Sequence, residues 1–464
     1  MRRWLVALAL WTLSATGALA TPCGSFPFQL ANGVTADATQ VMADLNLLLN
    51  CTVNSLATSG TNTNITSLLG LSTPLTVPQG GTGAATGAGA LTSLGAASAA
   101  SLSATQASLP GRNFAVNPIL RLDQRFEGAA QAVSTGTTQK SADQWQIIFQ
   151  GVSTGDTVQR VAVTGHPAGY QTALQVVIGI GSATINAGDF LLINQNIEGF
   201  TWAPLGYGQS TAAPVSVEFW VNSSIAGTFG VALRNASGNR SYVTTFVVPT
   251  PSVWQLVQLQ NIVGDVTGTW NQTNASGVVF TVALEVGSSG QTASVNAWQG
   301  ANVFGTAAQT QLTTTTSATF SITGLQIESG AISTAIEVLP FQQELAKAQR
   351  YVWKTFAQGT APAQALGTNT NELTFALYSA TASVGARSGW FAHPVTMRAA
   401  PSITFFNPVS ANAQVRNEGA STDCSATTVL NSGVNGFNLG VTTPSGAPAV
   451  VNPYGVHVLA DAGL

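Results

Sequence analysis

The chain has 464 residues, enough for two or three domains, and 45% of them are apolar, so it can bury real cores. Only 7% are charged, with 15 basic and 18 acidic residues and a net charge of −3, where an ordinary soluble domain carries about 25%. So few and so scattered basic residues exclude nucleic acid as a partner, and leave a polar surface of Ser, Thr, Asn, Gln and backbone that suits neutral polyols.

Residues 1–20 read as an export signal. Arg2 and Arg3 precede an apolar run from Trp4 to Leu13, and Ala18-Leu19-Ala20 forms a cleavage site at Ala18 and Ala20. The alternative is a membrane-binding helix that is never cut. In an oxidising compartment Cys23 and Cys51 could pair and leave Cys424 over; three free thiols are the other reading.

Residues 21–75 form a helical segment for attachment or oligomerisation. Val34, Ala38, Val41, Leu45 and Leu48 step by four and three, an a/d seam that suits pairing with copies of itself. One amphipathic helix on a small domain has the same pattern. Thr35 or Asp37 caps its start. Residues 76–112 are Gly/Ala-rich. The core Gly80-Gly81-Thr82-Gly83 resists a helix, since each Gly costs about 1 kcal/mol there relative to Ala. It is either a flexible linker or a tight junction where backbones meet closely.

From Phe114 onward short alternating runs take over, rich in Val, Ile, Thr and Phe and bounded by Gly, Asn, Ser or Pro. Eight to ten such strands between Asn113 and Leu339 predict a jelly-roll β-sandwich over 113–340. In VSVEFWVNS, Val215, Val217, Phe219 and Val221 share one face and Ser216, Glu218 and Trp220 the other. The stretch 339–355, LPFQQELAKAQRYVWKT, reads as a helix with Phe341, Leu345 and Ala348 along one side. Strand-like runs return to the C-terminus, so 341–464 is a short helix followed by a smaller β domain. The fold class is mainly β.

Chemistry-bearing motifs are sparse. His166, His393 and His457 lie apart with no zinc-like spacing, so no metal is expected, and no other cofactor either. His393 and His457 sit inside strand-like runs, where a structural role fits. No P-loop and no G-x-S-x-G elbow is present. Glycoside hydrolysis needs only two carboxylates, which Glu198, Glu218, Asp189 and Glu285 could supply; salt bridging explains such lone acids equally. The ten tryptophans are more informative. Trp202 and Tyr207 in FTWAPLGYGQS, Trp270 and Asn271 in GTWNQTN, and Trp298 in NAWQGAN place rings beside amides and glycines. That arrangement stacks sugar C–H faces and bonds their hydroxyls; core filling is the competing role.

Several stretches resemble a domain recurrent in bacteriophage and prophage tail-fibre-like proteins: VSVEFWVNSSIAGTFGVALRNASGNRSYVTTF, GDVTGTWNQTNASGVVFTVALEVGS and TGLQIESGAISTAIEVLPFQQELAKAQRYVWKT. So do NFAVNPILRLDQRFEGA and SADQWQ, with Asp143 and Trp145 in order, and the likeness runs from about Asn113 to Lys354. VPQGGTGAATGAGALTSLGA is similar to a collar repeat of such fibres, through Gly80, Gly81, Thr82, Gly83, Leu94 and Gly95. HPVTMRAAPSITF and ADAGL look like the terminal domain that often follows, and FPFQLANGVTADATQVMADLNLLLNC like an N-terminal segment of the same group. Ala348 stands where a cysteine is frequent, and Ala-Gly-Leu closes the chain where an acid usually precedes the last Leu.

The resemblance implies a jelly-roll, carbohydrate-binding-like module in a host-recognition structure. It implies a non-enzymatic virion protein, trimeric about the collar, that attaches to a cell-surface polysaccharide or lipopolysaccharide alongside other tail or capsid proteins. The export signal departs from this and keeps open a secreted bacterial adhesin built from phage-derived modules. A tail-spike polysaccharide depolymerase is the enzymatic alternative. The resemblance carries over no catalytic or sugar-binding residues.

Overall fold

A computed structural model describes residues 26–28, 33, 35, 37–55, 75, 82, 84–95, 111–165, 169–367, 370–378, 383–445 and 450–464. The export signal with Ala18 and Ala20, the Cys23–Cys51 pairing and the collar glycines Gly80, Gly81 and Gly83 lie outside the described residues or side chains. The chain divides into two units, Met1–Ser98 and Ala99–Leu464.

In the first unit, α1 (Ala38–Ser55) begins where Asp37 Oδ1 accepts from the backbone N–H and hydroxyl of Thr39, each at 2.9 Å. Of its predicted seam, Leu45 and Leu48 are about half exposed, Val41 is partly covered and Val34 lies outside the described residues. The second helix, α2 (Gly87–Ser93), forms despite its two glycines. Thr86 caps it by accepting from Gly89 N–H, and Gly95 ends it in the left-handed region at φ +67, where only Gly pays no Cβ penalty.

In the second unit the strands are β1 (Gln131–Val133), β2 (Thr137–Lys140), β3 (Trp145–Gln150), β4 (Asp156–Ala162), β5 (Thr172–Val177), β6 (Phe190–Glu198) and β7 (Val215–Ser223). They continue as β8 (Gly227–Asn235), β9 (Ser241–Val248), β10 (Gln255–Ile262), β11 (Ser276–Val286), β12 (Trp298–Gln299) and β13 (Thr319–Ser329). Antiparallel pairing gives two sheets, β1-β4-β5-β13-β7-β10 and β12-β9-β8-β11-β6-β3-β2, packed as a jelly-roll sandwich. The period-2 pattern decides what lies between them: Val215, Val217, Phe219 and Val221 of β7 are fully buried beside Phe229, Phe280 and Phe320. Each such side chain contributes about 1.5–3 kcal/mol by leaving water.

The strand run is interrupted by α3 (Gly199–Trp202) and α4 (Phe341–Gln349). The buried side of α4 is Glu344 and Ala348, with Leu345 partly covered, whereas Phe341 is exposed. The predicted apolar face is corrected because Glu344 accepts from Asn117 N–H at 2.6 Å, and that bond takes the inner position. The helix also stops six residues short of Thr355, where β14 (Val352–Lys354) joins a new sheet.

The C-terminal strands are β15 (Leu373–Tyr378), β16 (Gly385–Arg387), β17 (Phe391–Ala392), β18 (Ser402–Phe406) and β19 (Arg416–Asn417). After them come β20 (Thr422–Asp423), β21 (Ala426–Gly433), β22 (Gly436–Thr442) and β23 (Val451–Asp461). β23 pairs with β14, β15, β18 and β19, and β22 with β16, β17 and β21. His393 and His457 are structural here: Trp353 Nε1 donates to His393 Nδ1 at 3.0 Å, and His457 stacks on Phe356. Cys424 is a buried free thiol. The two β parts are clasped. Arg125 bonds Asp461 through Nε and one terminal nitrogen, each at 2.9 Å, and Lys140 Nζ reaches both oxygens at 3.0 Å.

Candidate functional site

The aromatic residues singled out for sugar contact do come together, but inside the protein. Trp202, Tyr207 and Trp270 are between 1 and 6% exposed and belong to the main core. Tyr207 packs edge-on to Trp202 at 5.0 Å and to Trp270 at 4.9 Å, and Trp298 closes the cluster against Trp270 at 5.3 Å. The indole N–H groups of Trp270 and Trp298 donate to the carbonyls of Thr267 and Val263. Asn271 Oδ1 accepts from the N–H and hydroxyl of Thr273 and closes its own turn. Trp202, Tyr207 and Trp270 therefore present no ring face to solvent, and the sugar-contact assignment is corrected for them: they anchor the loops between strands. Trp298 is partly covered and bonded to the same cluster, and the Asn271 oxygen is already engaged.

The acids singled out are dispersed. Glu218 on β7 accepts from Gln258 at 3.1 Å. Asp189 accepts from the backbone and side chain of Asn186. Glu285 on β11 is fully buried with neither carboxylate oxygen hydrogen-bonded to protein. Burial pushes its pKa up to about 7, and the neighbouring Asp189 and Asp156 carboxylates add to the rise. Thr313 lies beside it and acts in the opposite direction.

Glu198 is different: though buried, it lines an open cleft. It ends β6 at the floor of a cleft of about 660 Å³, within the size range of ligand sites. The walls come from three places: the segment from Gly111 to Val116, the turn from Phe200 to Pro204, and the run from Leu339 to Tyr351. The turn sits close because residue 199 is glycine; a Cβ there would lie 2.6 Å from the carbonyl oxygens of Asn271 and Thr273. Arg350 donates to Glu198 through Nε at 2.7 Å and a terminal nitrogen at 2.5 Å, and the Tyr351 hydroxyl donates at 2.9 Å. The bonds to Glu198 hold the guanidinium pKa above its ordinary value, while burial first and the carboxylate second raise the Tyr351 phenol. Lys347 donates to the carbonyls of Asn113 and Ala115, and burial lowers its pKa.

Phe200, 57% exposed, lines the same cleft as this fixed charge pair. Thr201 and Gln343 line the cleft with exposed side chains that bond no described protein group. A ring face, two uncommitted polar groups and a rigid guanidinium edge can together hold a polyol. Sequence reasoning passed over Phe200, Gln343 and Arg350. The available signal was FTW itself: residues two apart on a helical turn point about 200° apart, so burying Trp202 turns Phe200 outward.

No family model matches the chain, and no curated protein matches it. Solved structures align with about half of it at low similarity. TmCBM61 in complex with β-1,4-galactotriose is 11% identical at a TM-score of 0.24, over 47% of this chain and 99% of that one. The enzymatically active domain of bacteriophage CBA120 tailspike protein 4 is 10% identical at 0.25, over 48% of this chain and 22% of that one. A family 11 carbohydrate-binding module from Clostridium thermocellum, in complex with a β-1,3-1,4-mixed-linked tetrasaccharide, is 10% identical at 0.21, over 44% and 97%.

Proposed function

We propose that the protein is a non-catalytic, glycan-binding, tail-fibre-like virion component that attaches to a cell-surface polysaccharide or lipopolysaccharide. The observation that carries this reading is the open cleft in which exposed Phe200 stands beside the Glu198–Arg350 pair and the uncommitted Thr201 and Gln343. Binding is favoured over hydrolysis because Glu198 is the one carboxylate among the described lining residues, and Arg350 and Tyr351 engage it. Glycoside hydrolysis requires two carboxyl groups flanking the bond. The half-exposed Leu45 and Leu48 of α1 support assembly into a homotrimer, in which weak single-site contacts become firm attachment through multivalency. A glycan array probed with the full chain and with Phe200→Ala tests the reading. The parent retains a defined set of saccharides and the variant loses that set; equal retention by both, or none by either, overturns it.

A further inference from the structure

Among the described residues, ion pairs engage eight basic and eight acidic side chains. Three basic residues are buried among the described ones: Arg125, Arg234 and Lys354. Arg125 meets Asp461 and Asp143, and Lys354 meets Glu127. Arg234, on the face of β8 away from the core, has no carboxylate partner among the described residues. Its Nε and one terminal nitrogen donate to Thr281 Oγ1 at 3.3 and 3.1 Å, and the other terminal nitrogen donates to Asn302 Oδ1 at 2.9 Å. The guanidinium lies over the Phe304 ring, 4.6 Å from its centroid. The Thr281 hydroxyl in turn donates to Asn194 Oδ1 at 2.8 Å, and Asn194 is registered against Gln146 on β3. A row of neutral polar groups thus runs from Arg234 on β8 through β11 and β6 to Gln146 on β3, which is registered against Lys140 on β2, and Lys140 is itself paired with Asp461.

A buried charge without a counter-charge is costly, and neutral hydrogen bonds repay only part of that cost. Three of the five N–H donors of Arg234 are used, which leaves one on each terminal nitrogen. Burial alone acts on its pKa, lowering it to about 10; no nearby acid opposes the shift. Two donors on one flat fork match the two oxygens of a carboxylate.

We propose that Arg234, braced by the buried Thr281 and Asn194 and flanked by the exposed Asn302, forms an anion-binding subsite on the outer face of the seven-stranded sheet that takes the carboxylate of an acidic sugar. The inference rests on the glycan-binding reading but names a different place on the molecule and a different ligand class. An acidic saccharide would supply the missing counter-charge, and a neutral one of the same length would not.

The experiment compares a galacturonate pentamer with the neutral galactose pentamer on the full chain, by calorimetric titration and by thermal shift, since a ligand that binds only the native state raises Tm. The acidic oligomer is expected to bind about tenfold more tightly than the neutral one and to raise Tm more. Arg234→Gln abolishes that difference and Arg234→Lys restores it in part, while Phe200→Ala weakens the neutral oligomer and still binds the acidic one. If Arg234→Gln does not fold, the parent still decides. A Tm rise with the acidic oligomer no greater than with the neutral one overturns the subsite, as does a difference that survives in Arg234→Gln. Neutral binding lost in Phe200→Ala with no preference for acid rejects the subsite and keeps the cleft. Acid preference dependent on Arg234 without any effect of Phe200 does the reverse.

Discussion

Phe200 and Trp202 lie two positions apart on one turn, and the fold uses them in opposite ways. Phe200→Ala is expected to weaken saccharide binding about tenfold while leaving Tm unchanged, because the ring is largely exposed. Trp270→Ala removes a core ring and is expected to cost about 3–5 kcal/mol, read as a lower midpoint in urea. Glu285 gives a pH signature. Its folded pKa of about 7 lies above the ordinary 4.5, so the neutral acid is the form the fold prefers. The contribution is complete below pH 4.5 and disappears as pH rises through 7. The fall in stability between pH 5 and pH 8 is therefore expected to be smaller in Glu285→Gln than in the parent, measured by denaturant melts at both pH values. The sequence supplied the right neighbourhood, FTWAPLGYG, but residue type cannot say which ring faces water. That depends on Tyr207, Trp270 and Trp298 converging from loops distant along the chain.

At the scale of elements, the jelly roll was legible because period-2 alternation with β-branched residues leaves little choice of face, as Val215, Val217, Phe219 and Val221 illustrate. The end of α4 was not. Tyr351, Val352 and Trp353 continue a plausible helix, yet Val352 pairs with Asp461, and the edge of β23 captures the segment. That partner lies more than a hundred residues away, beyond any local pattern. The Arg125–Asp461–Lys140 clasp joins the two β parts in the same long-range manner. Burial alone would raise the Asp461 pKa, but the bond and charge of Arg125, and then Lys140, outweigh it and hold the carboxylate well below 3.8. Its stabilisation is therefore present above that pH and lost as the solution becomes more acidic. Asp461→Asn is expected to separate the unfolding of the jelly roll and the C-terminal sheet into two calorimetric transitions; a single unchanged transition would count against the clasp.

For the whole molecule, the proposed assembly rests on α1, whose Leu45 and Leu48 are about half exposed. Replacing both by Asp is expected to convert a trimer to a monomer in light scattering, and to reduce binding to a polyvalent surface far more than binding to a soluble oligosaccharide. The position of β23 has a further consequence. This strand is the spine of the C-terminal sheet, with four partners along its length, and it follows all four of them in the chain. The earlier strands of that sheet must wait, edges open, until β23 has been made: a nascent chain interrupted before residue 451 carries a jelly roll but no closed terminal sheet.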